Sequence, residues 1–590
     1  MPAETIPHKV LLHGERTPDS PAYNVREGGA WKATSWATYA DEVKTAAKAL
    51  MALGLEVGQP VGILGFNRPE WVIVDIAAMA AGGVPAGIYT TNSPAECQYI
   101  IGHAEAPIIL LEDEDQWNKI DQVRNELPAL RHVIMMKGTQ IDDELVMSWD
   151  EFMARGSATS DAEFQARLDG LEMDQLATLI YTSGTTGPPK GVMLSHDNLA
   201  WTAAQTVQMF QIGTGDTTLS YLPLSHIAEQ IFSIHVPASS GGAVYYAESI
   251  EKLADNLREV QPSVFFAVPR VWERFHAGVV AKLDEATGAK AKIAGWARGV
   301  VTKVTDLRCE GKEPSGLLAG QYAVAKKLVI DKIKPQLGMT NGRVLGVGAA
   351  PINADILEFF GSLDMIIHEV YGQSEDTGPS TTNRPGKVRF GSVGPNWPGT
   401  EVEIADDGEI LVKGRNVFLG YYRDDAETKE TLVDGWLHSG DLGAFDSDGF
   451  LWITGRKKDI IITAGGKNVA PRPLEAALKS HPLVSEVVLI GDRRKFLSAL
   501  VTLDEETSAA FLEEHNISGP AHESEQIVQE LDDAVEKLNK NFARVEQIKK
   551  FTVLARQLSI EGGELTPTLK VKRNKVSEHF AAEIGAMYGE

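Results

Sequence analysis

Cysteine is scarce in this chain: the 590 residues include only Cys97 and Cys309. Two isolated thiols can form neither a disulfide framework nor a thiolate metal site. So low a count is typical of proteins kept in a reducing compartment. We therefore predict a cytoplasmic location.

Positive charge is also in short supply. The chain has 56 Lys and Arg residues against 81 Asp and Glu residues, which gives a net charge of -25. A general nucleic-acid binder needs a basic surface that neutralises phosphates. The composition therefore excludes that class, although a local basic patch could still hold one anionic ligand.

Long hydrophobic runs are missing as well. The longest, residues 71–89, is interrupted by Asp75, Gly82, Gly83 and Pro85, and predicts a buried helix followed by a strand, not a membrane span. The first residues lack the basic and then apolar pattern of a signal peptide. Peripheral contact with a membrane stays open, and no sequence feature predicts an oligomeric state.

What the chain does have is alternation between helical and strand patterns. Apolar runs at 60–65, 107–111 and 131–136 predict strands, and residues 36–53 and 69–81 predict helices. Such alternation predicts an α/β fold with largely parallel sheets covered by helices. The acidic run 112–115 predicts a solvated turn rather than a metal site, because consecutive acids point in different directions.

The pattern changes near residue 399, and two Asp/Gly-centred hairpins predict a small β-rich subdomain. Beyond Arg456 it returns to mixed α/β. The predicted helix 523–549 carries an apolar stripe that suits a packed core, with a membrane-lying face as the alternative. Because 590 residues exceed one hydrophobic core, we predict two domains, 1–455 and 456–590, the second a small mobile α+β unit.

The most distinctive motif is Tyr-Thr-Ser-Gly-Thr-Thr-Gly-Pro-Pro-Lys-Gly at residues 181–191, which follows an apolar run that predicts a strand. Glycines allow backbone N–H groups to approach a ligand, while hydroxyls and a lysine supply further donors. This set of groups suits phosphate, although the spacing is not that of a Walker A loop. An ordinary Gly/Thr-rich turn is the alternative.

Four later apolar runs, 219–226, 263–268, 342–348 and 364–370, also end in loops of small or polar residues. Ligands of open α/β sheets bind beyond the carboxyl ends of the strands. We therefore expect these loops to converge with the phosphate motif. His226 ends the first of them, either beside a substrate pocket or as an ordinary strand-end histidine.

Taken in order, the motifs at 181–191, 371–376, 435–441 with 455–456, and 565–573 resemble the adenylate-forming superfamily of acyl-CoA synthetases, adenylation domains and luciferases. The likeness covers almost the whole chain. Segments 63–71, 87–94, 221–227 and 562–570 are most similar to long- and very-long-chain fatty acyl-CoA synthetases of the bubblegum type. Lys467 departs from the Glu associated with that type.

The resemblance implies ATP, Mg²⁺ and coenzyme A as ligands and a fatty acid as substrate. It places Glu375 and Thr185 on Mg²⁺, Asp441 on the ribose (a turn or cap being the alternative), and Arg456 at the domain junction. Lys570 would act on the attacking carboxylate and the α-phosphate, and His226 beside the acyl pocket. The implied nucleotide-binding residues are Thr182, Ser183, Gly184, Thr185, Thr186, Gly187, Lys190, Gly348, Ala349, Ala350, Pro351, Tyr371, Gly372, Gln373, Ser374, Glu375, Asp376, Asp441, Arg456 and Lys570.

Lys572 is the alternative to Lys570 within one basic run, and the preceding Gly-Gly-Glu-Leu-Thr-Pro-Thr selects Lys570. The family's hinge corresponds to Lys458. The main hypothesis is therefore ATP-dependent activation of a long-chain fatty acid to acyl-AMP and then acyl-CoA. The alternatives are transfer of the acyl group to a carrier protein and a non-catalytic lipid- or nucleotide-binding role on the same scaffold.

Overall fold

The computed structural model describes residues 4–182, 188–544, 546–566 and 570–590. Two eight-stranded sheets dominate the chain before residue 456, and both are parallel except at their margins. The first sheet has the strand order Thr381–Thr382, Ile367–Tyr371, Val344–Val347, Val264–Ala267, Thr217–Ser220, Ala243–Tyr246, Pro21–Glu27, Ala30–Ser35. The second has the order Gly420–Tyr421, Lys190–Ser195, Leu176–Thr182, Val84–Ile88, Pro60–Leu64, Ile108–Leu111, His132–Met135, Val146–Met147.

Helices cover these sheets, and their apolar faces form three hydrophobic clusters within residues 6–451. The α-helices are Ile6–Arg16, Trp36–Ala52, Pro69–Ala80, Pro94–Ala104, Glu114–Val123, Trp149–Arg155, Asp161–Asp169, His196–Phe210, Ile227–Gln230, Val236–Ser240, Leu253–Val260, Pro269–Asp284, Gly288–Cys309, Gly316–Ala325, Asp331–Ile333, Ala354–Gly361 and Asp425–Thr431. The 3₁₀ and π segments are Arg124–Glu126, Gly156–Ala158, Ile231–His235, Lys326–Ile330, Lys334–Leu337 and Ser374–Asp376.

A smaller antiparallel sheet follows. It has the order Thr400–Ile404, Glu409–Gly414, Trp436–Phe445 and Leu432–Val433, with Leu451–Arg456 also paired to Trp436–Phe445. The two predicted hairpins are confirmed. In the second, Asp446 Oδ1 accepts hydrogen bonds from the Asp448 and Phe450 N–H groups, both at 3.0 Å, so this carboxylate closes a tight turn.

Two further hydrophobic clusters lie within residues 461–587 and share no residue with the other three. The strands of this part are Ile461–Ile462, Asn468–Val469, Val484–Ile490, Leu497–Leu503 and Ile548–Val553. Its helical segments are Lys457–Asp459, Pro471–Lys479, Glu505–Glu514, Ala521–Glu523, Glu525–Asn539, Arg573–His579 and Ala581–Tyr588. The expected α/β class, with a large first part and a smaller second one, is confirmed.

Two local predictions were wrong. The acidic run is not simply a solvated turn, because Asp113 accepts a hydrogen bond from the Gln116 N–H and begins the helix Glu114–Val123. The helix predicted to reach residue 549 ends at Asn539, whose side chain bonds both backbone groups of Ile548 at 2.8 and 2.9 Å. The side chain of Asn539 therefore ties the end of this helix to the next strand, Ile548–Val553.

The apolar stripe of that helix is core. Ile527, Leu531 and Val535 are all buried, so the membrane-lying alternative for this helix was wrong. Among the described residues, every helix is too short or too polar to cross a bilayer.

Candidate active site

The phosphate motif belongs to a β-hairpin. Strands Leu176–Thr182 and Lys190–Ser195 are antiparallel, and Thr182 pairs with Lys190 across the base of the loop. Ser183, Gly184, Thr185, Thr186 and Gly187 lie outside the described residues. What the structure does describe is therefore the two ends of the loop.

The turn after strand Ile367–Tyr371 depends on a glycine. A Cβ atom at Gly372 would lie 1.7 Å from the backbone O of Gly378, so no other residue fits without moving the chain. Asp376 is fully buried, and its carboxylate accepts hydrogen bonds from the Gln373 N–H and the Ser380 hydroxyl, both at 2.7 Å. Because the protein occupies both of its oxygens, we assign Asp376, with the buried Ser374, to shaping the turn rather than to direct ligand contact.

Glu375, in the same turn, faces the end of the phosphate hairpin. Its Oε1 accepts a hydrogen bond from the Tyr421 hydroxyl at 2.8 Å. The Tyr421 ring lies 5.2 Å from Lys190 Nζ, and Lys190 forms an ion pair with Glu427. The candidate metal ligand and the candidate phosphate-binding lysine are thus joined through one tyrosine.

Tyr421 and Glu427 were missed by the sequence reasoning. They lie more than 200 positions from Lys190 and become its neighbours because strand Gly420–Tyr421 pairs with strand Lys190–Ser195. The available signal was the Gly-Tyr-Tyr segment at 420–422, which is too short to predict a strand on its own.

The candidate ribose site is the buried carboxylate of Asp441, one of whose oxygens accepts no hydrogen bond in the described structure. Asp441 Oδ2 accepts a hydrogen bond from the Tyr371 hydroxyl at 3.1 Å, whereas its buried Oδ1 has no hydrogen-bond partner in the described structure. Arg456 pairs with Asp441 across the two strands and places Nε 3.5 Å from that Oδ1. A buried acceptor without a donor costs about 1–3 kcal/mol, so a ligand hydroxyl suits this position.

The loop after strand Val344–Val347 lies at the same sheet edge. Gly348 leaves space for its neighbour, since a Cβ there would come within 2.9 Å of the Val370 backbone O. Ala349 has a left-handed backbone with φ of +66°, and Ala349, Ala350 and Pro351 are exposed. These small exposed side chains follow a strand that pairs with strand Ile367–Tyr371, so they lie at the same sheet edge as Tyr371 and Gly372.

His226 does not end a strand as expected. Strand Thr217–Ser220 stops six residues earlier, and His226 caps the short helix Ile227–Gln230, with Nδ1 accepting a hydrogen bond from the Ala228 N–H at 3.2 Å. Burial, and then the charge of Lys570, lower the pKa of His226 to about 4. The ring is therefore neutral near pH 7, and because Nδ1 accepts, Nε2 carries the proton.

Lys570 approaches this group from the far end of the chain. Its backbone N–H donates to Thr566 Oγ1 at 3.0 Å, and its side chain is exposed to solvent, although enough protein lies near it to desolvate the charge. Desolvation, followed by the charges of Arg456 and Arg472, lowers the pKa of Lys570, while Asp441 and Glu375 oppose that shift. Since the charges of Arg456, Asp441 and Glu375 act on the pKa of Lys570, and the charge of Lys570 acts on the pKa of His226, these five predicted site residues lie in one neighbourhood.

Two family models match this chain. Residues 12–422 match the AMP-binding enzyme family, and residues 458–590 match the AMP-binding enzyme C-terminal domain. The chain belongs to the AMP-binding enzyme family.

Curated relatives of this AMP-binding enzyme are similar along nearly its whole length. The chain is 41% identical to the long-chain-fatty-acid–CoA ligase ACSBG2 of Xenopus laevis, over 95% of this chain and 81% of the relative. It is 38% identical to human ACSBG2, over 99% and 92% respectively. It is 35% identical to the long-chain-fatty-acid–CoA ligase FadD15 of Mycobacterium bovis, over 100% and 97%. The expected resemblance to adenylate-forming, bubblegum-type synthetases is confirmed.

Solved structures share the fold. The adenylation domain of a carboxylate reductase from Mycobacterium chelonae superposes with a TM-score of 0.77 at 22% identity, covering 100% of this chain and 92% of that one. The anthranilate CoA ligase AuaEII, in complex with anthranoyl-AMP, superposes with a TM-score of 0.73 at 20% identity and 99% coverage of both chains. At these identities the likeness concerns the fold alone.

Mg²⁺ fits the donor set of this AMP-binding enzyme in a limited way. Across the described ranges, no group of three or more His, Cys, Asp or Glu residues is arranged to hold a metal. Glu375 offers a single carboxylate near the end of the phosphate hairpin. Mg²⁺ is commonly bound by one or two carboxylates together with substrate phosphates, so one carboxylate suits a metal that arrives with its nucleotide. Thr185, the second expected ligand, lies outside the described residues.

Proposed function

We propose that this chain is a long-chain-fatty-acid–CoA ligase that forms acyl-AMP from a fatty acid and ATP and then acyl-CoA, releasing pyrophosphate and AMP. The observation that carries the proposal is the grouping of Lys570 with Glu375, Asp441, Arg456 and His226, residues that lie far apart in the sequence. The curated relatives named above, all long-chain-fatty-acid–CoA ligases, support the substrate class.

The first half-reaction joins two anions. A carboxylate oxygen of the fatty acid bonds to the α-phosphorus of ATP, and the bond from that phosphorus to the pyrophosphate oxygen breaks. Positioning and charge neutralisation supply most of the acceleration in such a step. We assign the cation beside the carboxylate and α-phosphate to Lys570. We assign the ribose hydroxyls to Oδ1 of Asp441, which accepts no hydrogen bond in the described structure and lies 3.5 Å from Arg456 Nε. Mg²⁺, held by Glu375, would neutralise charge on the phosphates.

In the second half-reaction the sulfur of coenzyme A bonds to the acyl carbon, and the carbon–oxygen bond to AMP breaks. Lys570 has no part in this step and must leave room for the thiol. We propose that residues 1–455 and 456–590 are two domains that rotate about Lys458. Their separate hydrophobic clusters support that division.

Lys190 would hold the terminal phosphates. In the structure its charge is paired with Glu427, so a nucleotide would have to displace that carboxylate or share the lysine with it. The neutral His226 would border the acyl pocket as an uncharged wall. Peripheral contact with a membrane is also part of the proposal, and residues 288–334 are the surface that supports it.

The test is pyrophosphate release with fatty acids of graded chain length, with and without coenzyme A, followed by mass spectrometry of the thioester. We expect release to require a carboxylic acid and acyl-CoA to appear only when coenzyme A is present. Release that ignores the added acid would contradict the proposal. An adenylate that coenzyme A leaves intact would favour a carrier protein as acceptor.

A further inference from the structure

One helical hairpin has an apolar surface that the chain does not cover. It consists of helices Gly288–Cys309 and Gly316–Ala325, which pack on each other, and the segment to Lys334. Its second helix contains no charged residue, yet Ala325 is its only buried member. A helix that is apolar all round normally lies in a protein interior or against lipid.

The exposed apolar side chains follow helical spacing on both arms. On the first, the buried residues Ala297, Val300 and Val304 form the inward stripe. Ile293 and Trp296 lie one turn before Ala297 and Val300, yet they are 44% and 41% exposed. On the second arm, Leu317 is 80% exposed, and Val324 and Leu328 lie seven and eleven positions further. These five exposed residues, Ile293, Trp296, Leu317, Val324 and Leu328, are called the hairpin surface.

The charge around the hairpin surface is opposite to that of the whole protein. Residues 288–334 contain ten Lys or Arg against four Asp or Glu, in a chain whose net charge is -25. Five exposed lysines form no ion pair within the part of the chain that the structure describes: Lys290, Lys292, Lys303, Lys327 and Lys332. If another copy of this acidic protein covered the hairpin surface, the five lysines would have to face carboxylates of that copy. The five exposed apolar residues would have to face an apolar patch on it as well.

We propose that the hairpin surface docks this protein on a lipid bilayer with anionic headgroups. Exposed apolar side chains enter the boundary between headgroups and acyl chains, while the lysines attract the negative leaflet. Such contact is peripheral and reversible. The docking proposal rests on the proposed function only in its explanation of why docking is useful: fatty acids partition into bilayers, so a docked enzyme meets its substrate there. The binding itself requires neither ATP nor catalysis.

The experiment is flotation of the full chain with phosphatidylcholine vesicles, with and without 30 mol% phosphatidylserine (a composition chosen to be about that of an anionic leaflet). We expect binding to the anionic vesicles that weakens as salt is raised, since screening shortens the reach of the lysines. Leu317→Asn with Val324→Asn should lower the partition coefficient by about tenfold or more. Lys292→Glu with Lys327→Glu should lower it to a similar extent and remove the preference for phosphatidylserine.

The matched control is Val57→Asn with Ile250→Asn, which changes two apolar residues elsewhere that are 61% and 50% exposed, against 80% and 50% for Leu317 and Val324, and should leave flotation unchanged. All six positions are exposed, so unchanged melting temperatures should accompany every variant. Equal flotation of the Leu317 variant and the wild type would overturn the proposal, as would equal binding to vesicles without phosphatidylserine.

Light scattering tests whether a second copy of this chain, instead of a bilayer, covers the hairpin surface. A dimer that Leu317→Asn dissociates would show that a second copy covers the hairpin surface, and would overturn bilayer docking. The proposed function fails separately: a chain that floats with vesicles but releases no pyrophosphate would contradict fatty-acid activation and leave the docking intact.

Discussion

The two sides of the candidate site are built differently. Glu375 and Asp441, before residue 456, are held by hydrogen bonds from the hydroxyls of Tyr421 and Tyr371. Lys570, on the other side, remains exposed and reaches the site from a part of the chain with its own hydrophobic clusters. Carboxylates fixed by hydrogen bonds, and a lysine supplied by a separate part of the chain, suit a two-step reaction in which one cation serves the first step and withdraws for the second.

The largest expected effect comes from removing the side chain of Lys570. Lys570→Ala should lower adenylate formation by about 10²–10³-fold, the loss typical of one preorganised charge on a transition state. Conversion of supplied acyl-AMP to acyl-CoA should change little, because the lysine is absent from that step. Both rates are measured by mass spectrometry. Lys572→Ala is the control, and a larger loss in that variant would move the role two positions along the basic run, to Lys572.

The fixed side is tested by Glu375→Gln. We expect adenylate formation to fall by about 10–10²-fold and to require more Mg²⁺, since an amide binds a hard cation less well than a carboxylate. The measurement is a Mg²⁺ titration of pyrophosphate release. Tyr421→Phe, which removes only the hydrogen bond to Oε1, should give a smaller change in the same direction. An unchanged Mg²⁺ requirement in the Glu375 variant would refute the metal role.

The link between the two sides is tested by Lys458→Pro. Proline fixes φ and opposes rotation at this position, so one half-reaction should slow by about tenfold or more while the other is nearly retained. Single-turnover assays of adenylation and of thioester formation separate them. Equal losses in both would count against a hinge at Lys458.

The pH profile sharpens the comparison further. Although the Lys570 side chain is exposed, desolvation by the protein near it and then the charge of Arg456 lower its pKa below the ordinary value of 10.5. Because the cation is the active form, adenylation should decline as pH rises through that lowered pKa. Lys570→Arg, which stays charged, should extend the alkaline limb upward at some cost in rate. His226, with a pKa of about 4, should leave no inflection between pH 6 and 8.

The sequence predicted part of the side of the site that contains Glu375 and Asp441. It predicted almost none of the contacts between distant segments. A continuous apolar run located strand Pro60–Leu64, whose five residues are all buried, because a strand covered on both faces needs apolar residues on both. Asp376 belongs to a matched motif, yet its carboxylate is used within the turn. Tyr421 and Glu427 could not be predicted, since their place beside Lys190 depends on pairing between distant strands. A sequence motif identifies which residue types are present, whereas the pairing of strands in the sheet determines which of those residues are in contact.

The smallest expected effect concerns an ion pair across the two parts of the chain. Arg270, at the start of helix Pro269–Asp284, donates to Asp504 at 2.8 Å, and both side chains are partly exposed. Such pairs contribute about 0–1 kcal/mol, so Arg270→Ala should change the balance between the two orientations by about fivefold at most. We expect adenylation to fall slightly and thioester formation to rise or hold, the opposite of a general loss of stability. Arg258→Ala, which breaks an exposed pair within one helix, is the matched control and should alter neither rate. Parallel losses in both half-reactions would show that Arg270 stabilises the fold without favouring either orientation.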